Sequence, residues 1–275
     1  MSTHVGIGEL VRPLWPFTVN RDSPQAQGLM RWWPLGYFGA GNEKDLVAGH
    51  ELTNTGSTQV VSPGYLQVAR NFASDTQWLK SSYTPITGYP LSLAAHFVDG
   101  NDSQNRTILS INNGSSGTGA IEHSLRTDAT SRVVVAATDN ATQTEVTATT
   151  STTIAVLTLG HALGVFSSAT SRSAFLNGGG KATNTTSRAA SGLTTVSVGA
   201  GSGDEIPYLG KLADIRLYNR ALTDLEAASY FSDPRLSLDL YYPLGRRTWS
   251  FGKRAAAASQ APRSMHQYRQ RRIMV

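Results

Sequence analysis

The 275-residue sequence contains no cysteine, which removes any disulfide framework and any thiolate zinc or iron–sulfur site. Long apolar runs are missing too. The longest, such as Val133–Ala137, fall far short of the ~20 residues needed to cross a bilayer. The first residues lack a charged start followed by an apolar stretch, so no secretory leader is expected and a soluble protein is predicted. Only 16% of residues are charged, and the acids among them show no clustered pattern. The length suits one large domain, because β-sandwiches reach ~250 residues as single units.

Charge is distributed unevenly. Eight of the 24 basic residues lie in 245–275, which has no acid. The remaining 16 face 19 acids, so positions 1–244 carry about −3 and the net +5 describes a tail. A basic segment on a mildly acidic body points to an acidic partner surface or nucleic acid, or else to a solvated terminus. Residues 1–28, with Pro13, Pro16 and Pro24, read as an extended N-terminal arm, and 235–275 as a basic C-terminal arm.

Between the arms, residues 29–234 read as short strands separated by Gly, Asn, Asp, Ser and Pro. Runs 91–98, 106–111, 132–138, 144–150, 153–159, 163–166 and 171–176 are rich in Thr, Val and Ile, whose branched side chains suit a pleated, half-buried surface. In 211–218, Ala213, Ile215 and Leu217 alternate with Asp214, Arg216 and Tyr218, which predicts a strand with the apolar set on one face. Thr223-Asp-Leu-Glu226 has the form of a capping box, and Leu225, Ala228 and Phe231 mark the expected inner face of the helix it opens. Asp233-Pro234 ends that helix. Many strands with one short helix predict an all-β fold, a two-sheet antiparallel sandwich or jelly roll.

The order of motifs is similar to that of laminin-G-like, concanavalin A-like jelly-roll domains. Leu29–Leu35 and Asp45–Thr53 resemble the opening strand and turn of that family, and Gly88–Phe97 an inner-sheet strand. His161–Phe166 with Arg172–Gly178 looks like its hairpin. Leu209–Glu226 resembles its closing G-x-I-D-x-V-R-I-Y-N-R-A-L signature most specifically. The Pro-rich leader and the Pro234…Arg246-Arg247-x-Trp249 continuation resemble accessory virion proteins of tailed bacteriophages. The resemblance implies a jelly roll and a virion localisation, while fold alone does not fix function.

The residues themselves offer little catalytic chemistry. A glycoside hydrolase needs two carboxylates flanking the scissile bond, and none of the seven Glu residues shows the alternating acid spacing that would aim a pair into one cleft. Gly114–Gly119 lacks the second Gly of a nucleophile elbow, and Gly178–Ala182 lacks the hydroxyl of a P-loop; both read as turns. The six His show no paired spacing for zinc, and His96 and His161 read as structural. Asp99-Gly-Asn-Asp-Ser103 offers oxygen ligands but departs from an EF-hand loop, so no metal and no cofactor is assigned. Trp78, Tyr83 and Tyr89 are the candidate glycan-binding aromatics, although Trp32, Trp33 and Trp78 read first as core.

The expectation is therefore a non-enzymatic virion structural protein, placed as a capsid decoration protein whose arms dock on neighbouring subunits. Trp15, Phe17, Arg246, Arg247, Trp249, Phe251, Arg269, Arg271 and Arg272 are its expected contacts. Its expected partners are the major capsid protein or tail proteins, with a homo-oligomer on the particle. A host-surface glycan belongs to the alternative, a carbohydrate-binding tail-fibre or receptor module. Nucleic acid on the basic tail is the lesser option.

Overall fold

The structure, a computed structural model, describes residues 17–62, 68–100, 103–232 and 241–243. Its strands in chain order begin with β1 (Phe17–Val19), β2 (Leu29–Trp33), β3 (Glu43–Lys44), β4 (Glu51–Thr55), β5 (Gln59–Val61) and β6 (Ala69–Phe72). They continue with β7 (Trp78–Ser81), β8 (Leu91–Asp99), β9 (Arg106–Asn112), β10 (Glu122–Thr127), β11 (Val133–Thr138) and β12 (Val146–Thr149). The last are β13 (Leu159–Ser168), β14 (Ser171–Leu176), β15 (Gly179–Asn184), β16 (Thr195–Val198), β17 (Gly210–Tyr218) and β18 (Tyr241–Pro243), with helix α1 (Asp224–Ser232) after β17.

Two antiparallel sheets face each other. One runs β12-β11-β10-β9-β16-β7-β4-β3; the other runs β15-β14-β13-β8-β17-β6-β5, with β2 also on β17. Between them lies an apolar core that includes Trp33, Phe72, Phe97, Leu125, Phe166 and Ile215. Full burial of each such side chain stabilises by roughly 1.5–3 kcal/mol. The sheets close tightly at Gly164, where an added Cβ would sit 2.9 Å from Val135 Cγ2. A second, smaller core fills the outer face of the β17 sheet, where Trp32, Leu163, Phe175 and Tyr218 meet Leu222, Ala227 and Tyr230 from the α1 region.

Four expectations are corrected by this arrangement. The α1 face that packs is Leu222, Ala227 and Tyr230; Leu225 is 79% exposed and Phe231 48%, with Ala228 exposed beside them. The capping box itself forms, since Glu226 N donates to Thr223 Oγ1 at 3.2 Å and Thr223 N to Glu226 Oε2 at 2.9 Å. The helix is therefore placed correctly but rotated, because Leu222 ahead of the cap, rather than Leu225, supplies its anchor. In β17 the alternation breaks at Asp214, which adopts φ +55 at a bulge between Ala213 and Arg216. The bulge sends Leu212, Ile215 and Leu217 into the main core and Ala213 to the opposite side.

Residues 153–158 form a connection instead of a strand, with Leu157 at φ +58 and only Ile154 buried in the main core. Part of the expected N-terminal arm is also folded. β1 pairs with β18, Val19 and Ala26 pack on the second core, and Ser23 caps a 3₁₀ turn at Pro24–Ala26. Hydrogen bonding explains that anchoring, because Arg220 Nε donates to Gln27 O at 2.7 Å and Asn219 N to Gly28 O at 2.9 Å.

Candidate functional site

Residues 17–19 and 241–243 pair in a two-stranded ribbon. Phe17 pairs with Pro243 and Val19 with Tyr241. The pairing is antiparallel, so Phe17 and Pro243 lie at the same end of the ribbon. Of the expected docking residues, Phe17 is placed by its backbone in β1. Trp15, Arg246, Arg247, Trp249, Phe251, Arg269, Arg271 and Arg272 lie outside the described residues.

The three candidate aromatics do not converge. Tyr89 rests against the main core and its hydroxyl donates to Arg188 O at 2.8 Å while sharing a hydrogen bond with His123 Nε2. Burial pushes that phenol up to about 12. Trp78 is half-buried and pairs with Thr55 at the margin of its sheet, while its neighbour Leu79 takes the core position, so Trp78 is no core tryptophan. Trp32 and Trp33 are fully buried, as expected of core residues. Tyr83 alone is exposed, at 50%. It stacks on His50 at 4.6 Å and 18°, with the Arg31 guanidinium 5.4 Å from its centroid.

The carboxylates are largely engaged by neighbours. Glu122 accepts from Arg126 and from Ser202 N, and Arg126 also donates to Glu145 Oε2, so one guanidinium bridges both acids. Burial works to raise the Glu122 carboxyl, yet Arg126 holds it below the usual range. Glu43 pairs with Arg70 and accepts from Gly36 N inside the fold. Glu226, in the helix cap, is held at about 2 by its hydrogen bonds from Arg220. An acid and a nucleophile with separate roles need different environments, and here one arginine pairs with both carboxylates.

His96 and His161 lie beside the buried Asp214–Arg216 pair. His96 Nδ1 lies 3.1 Å from Asp214 Oδ2, with the His161 ring tilted against it at 4.9 Å. Asp214 Oδ1 also accepts from Trp32 Nε1 at 2.6 Å, and Arg216 forks onto both carboxylate oxygens at 3.1 and 2.6 Å. Among the described residues no group of three or more His, Asp or Glu is placed to hold a metal ion. Of the loop considered for calcium, Asp99 is buried at the end of β8, while Asn101 and Asp102 lie outside the described residues.

Two clefts open at one end of the sandwich, where Asp99 pairs with Gly210. The smaller, about 280 Å³, is bordered by Asn71, Phe72, Asp99, Leu157 and Lys211. The larger, about 660 Å³, is lined by Asp75, Gln104, Asn105, Arg106, Ile206 and Pro207. Arg106 is buried, donates to Pro207 O at 2.7 Å and to Asp75 Oδ1 at 2.8 Å, and so fixes a carboxylate that is itself 65% exposed. Sequence reading missed this cleft, since its residues come from four separate turns that each look like ordinary punctuation.

Similarity to known proteins adds to this geometry. The family model Laminin_G_3, described as the concanavalin A-like lectin/glucanases superfamily, matches residues 73–228. Among curated proteins, none matches in sequence. Among solved structures, domain 4 of the extracellular GH43 arabinanase AbnA from Geobacillus stearothermophilus, in complex with arabinotriose, aligns with TM-score 0.59 at 12% identity. That alignment covers 74% of this chain and 98% of that one. The Ruminococcus gnavus IT-sialidase CBM40, bound to α2,3-sialyllactose, aligns at 0.52 and 13% identity, over 60% of this chain and 96% of that one. The Trypanosoma rangeli sialidase with the inhibitor DANA aligns at 0.57 and 12% identity, over 76% of this chain but only 33% of that one. At these identities the likeness is one of fold.

Proposed function

The chain belongs to the concanavalin A-like lectin/glucanase superfamily, and on that premise we propose that it is a non-catalytic structural module of a tailed-bacteriophage virion, tethered through its two terminal segments. The observation that carries this reading is the β1–β18 ribbon, which brings Phe17 and Pro243, each next to a terminal segment of the sequence, side by side. Two segments leaving together engage a neighbouring subunit at high effective concentration, so their affinities reinforce one another. Residues 244–275 bring eight basic residues, Trp249 and Phe251 with no acid, a composition suited to an acidic, partly apolar groove on a capsid or tail protein. The engagement of Glu122, Glu145, Glu43 and Glu226 by arginines supports the non-catalytic part.

Capsid decoration is the placement we favour, with the sandwich displayed outward. Deleting 244–275 is expected to abolish attachment to particles while leaving the thermal unfolding midpoint of the purified body within a few degrees. Normal incorporation of the truncated chain into particles would reject the tether. A second reading, a carbohydrate-binding receptor or tail-fibre module, is favoured by the open cleft around Asp75 and Arg106. It also draws on the sugars bound to the arabinanase domain and the CBM40. Binding of any saccharide by the full-length protein tests it.

A further inference from the structure

We propose that His123, Tyr89 and Arg188 form an acid-sensitive latch, in which protonation of His123 releases residues 187–190 while the two sheets stay closed. The inference does not depend on what the module binds. A phenol has one proton, and that of Tyr89 goes to Arg188 O at 2.8 Å, so toward His123 Nε2 the same oxygen accepts. The hydrogen bonds thus assign the imidazole proton to Nε2 and leave Nδ1 bare. Nδ1 is buried and has no hydrogen-bond partner among the described residues. The ring faces the interior, its centroid 5.2 Å from that of Phe166 and 5.3 Å from that of Tyr89. A second proton would therefore create an N–H inside the core with no acceptor beside it.

The charges around the ring oppose that proton. Arg172, paired in β14 with Phe166, donates to Asn184 Oδ1 at 2.7 Å, Ala169 O at 2.9 Å and Thr186 O at 2.7 Å. Among the described residues no carboxylate pairs with it, so its charge stands uncompensated and repels an imidazolium. Glu122 and Asp139 favour the charged ring, but both are engaged elsewhere. Glu122 accepts from Arg126 and Ser202 N, and Asp139 from Thr142 N and Ala189 N. Arg188 turns its guanidinium to Thr144 O and Ser187 O. The cross-strand neighbours in β9 and β11, Ile111 and Ala137, carry no charge. Burial acts most strongly and Arg172 next, and they push the imidazole down to about 4.

Residues 187–190 belong to the connection between β15 and β16, and Arg188 ties that connection down. Its N donates to Ala169 O at 3.0 Å and its Nε to Thr144 O at 2.7 Å, while Ala189 N reaches Asp139 Oδ2 at 3.1 Å. The bond from Tyr89 is the one that continues to the imidazole. Lifting Arg188 and Tyr89 admits water to Nδ1, so a protonated ring favours the open form. The closed form is complete above about pH 6.5 and gives way as pH falls toward 4.

The test is hydrogen exchange of the full-length protein at pH 7.5 and pH 5, corrected for intrinsic rates and read at the Arg188 and Ala189 amides, with β8 and β17 as reference. A ring at about 4 when closed and 6.5 when open raises the opening equilibrium on the order of thirtyfold over that interval. Exchange at Arg188 and Ala189 is expected to accelerate by that factor. It is also expected to stay faster than in β8 and β17 and less dependent on added urea, the marks of a local opening. His123→Gln keeps an N–H toward Tyr89 without taking up a proton, and is expected to abolish the acceleration. In the unaltered protein, nitrogen NMR of the ring is expected to show the Nε2–H tautomer at both pH values. Acceleration that persists in His123→Gln would assign the response to Asp139 and overturn the latch. Rates and urea dependence matching those of β8 and β17 would overturn it too, because the whole sandwich would then be opening. An imidazole that titrates near 6.5 without any change in exchange would overturn the buried neutral ring on which the latch depends.

Discussion

Two aspartate–arginine pairs of this sandwich differ in one respect, the access of water. Asp214 and Arg216 are both buried under the second core, and the carboxylate accepts from Trp32 and Arg216 and meets His96. Asp75 and Arg106 share the same chemistry, but only the arginine is buried. The first pair has its hydrogen-bonding capacity filled by the protein and serves architecture. The second leaves an oriented carboxylate facing solvent, which is what a binding site requires.

Truncation separates the two most sharply. Asp214→Ala strands the Arg216 charge and the Trp32 N–H inside the fold, and removing one partner of a buried pair costs ~3–5 kcal/mol. Asp75→Ala removes a solvent-exposed partner while Arg106 keeps its hydrogen bond to Pro207 O, and its expected cost is about 1 kcal/mol or less. Chemical denaturation of both variants measures the difference. Equal losses would erase the distinction between an architectural and an accessible pair.

Acid probes the interior next. Burial, with Arg172 adding to it, pushes the His123 imidazole down to about 4 from its ordinary 6.5. Burial first, then His96 and Arg216, push His161 down as well. Between pH 6.5 and 4 the unfolded chain binds a proton at His123 that the folded chain refuses. Stability is therefore full above about pH 6.5 and falls as pH drops toward 4. The denaturation midpoint is expected to fall between pH 7.5 and 5, less steeply in His123→Gln. Saccharide binding at the cleft has no histidine in its lining and is expected to change little over the same range. A flat midpoint would show that neither ring is held neutral.

The contrast also explains what could be read in advance. The closing strand and the helix cap are local patterns: the strand ending in Tyr218 and the Thr223–Glu226 box each fit within ten residues, and both formed. The bulge at Asp214 could not be seen that way, because its carboxylate is held by Trp32 and His96 from other strands as well as by Arg216 two residues on. The helix face was misread for a similar reason. Leu225, Ala228 and Phe231 have helical spacing, but Leu222, just before the cap, fills the second core. The cleft was least legible of all. Asp75, Arg106 and Ile206 are far apart in the chain, and nothing at each position distinguishes a ligand contact from a turn.

The smallest expected effect lies in the wall of that cleft. Ile206→Gly removes a half-buried side chain, which costs stability, but releases a φ of +50 that glycine adopts freely. These terms oppose, so the unfolding free energy is expected to move by no more than about 1 kcal/mol. The added backbone freedom loosens the segment joined to Pro207, whose carbonyl holds Arg106 and, through it, Asp75. A stable variant with weakened sugar binding would show that strain at Ile206 positions the carboxylate. A loss of several kcal/mol would instead place Ile206 with Asp214, among the residues that hold the sandwich together.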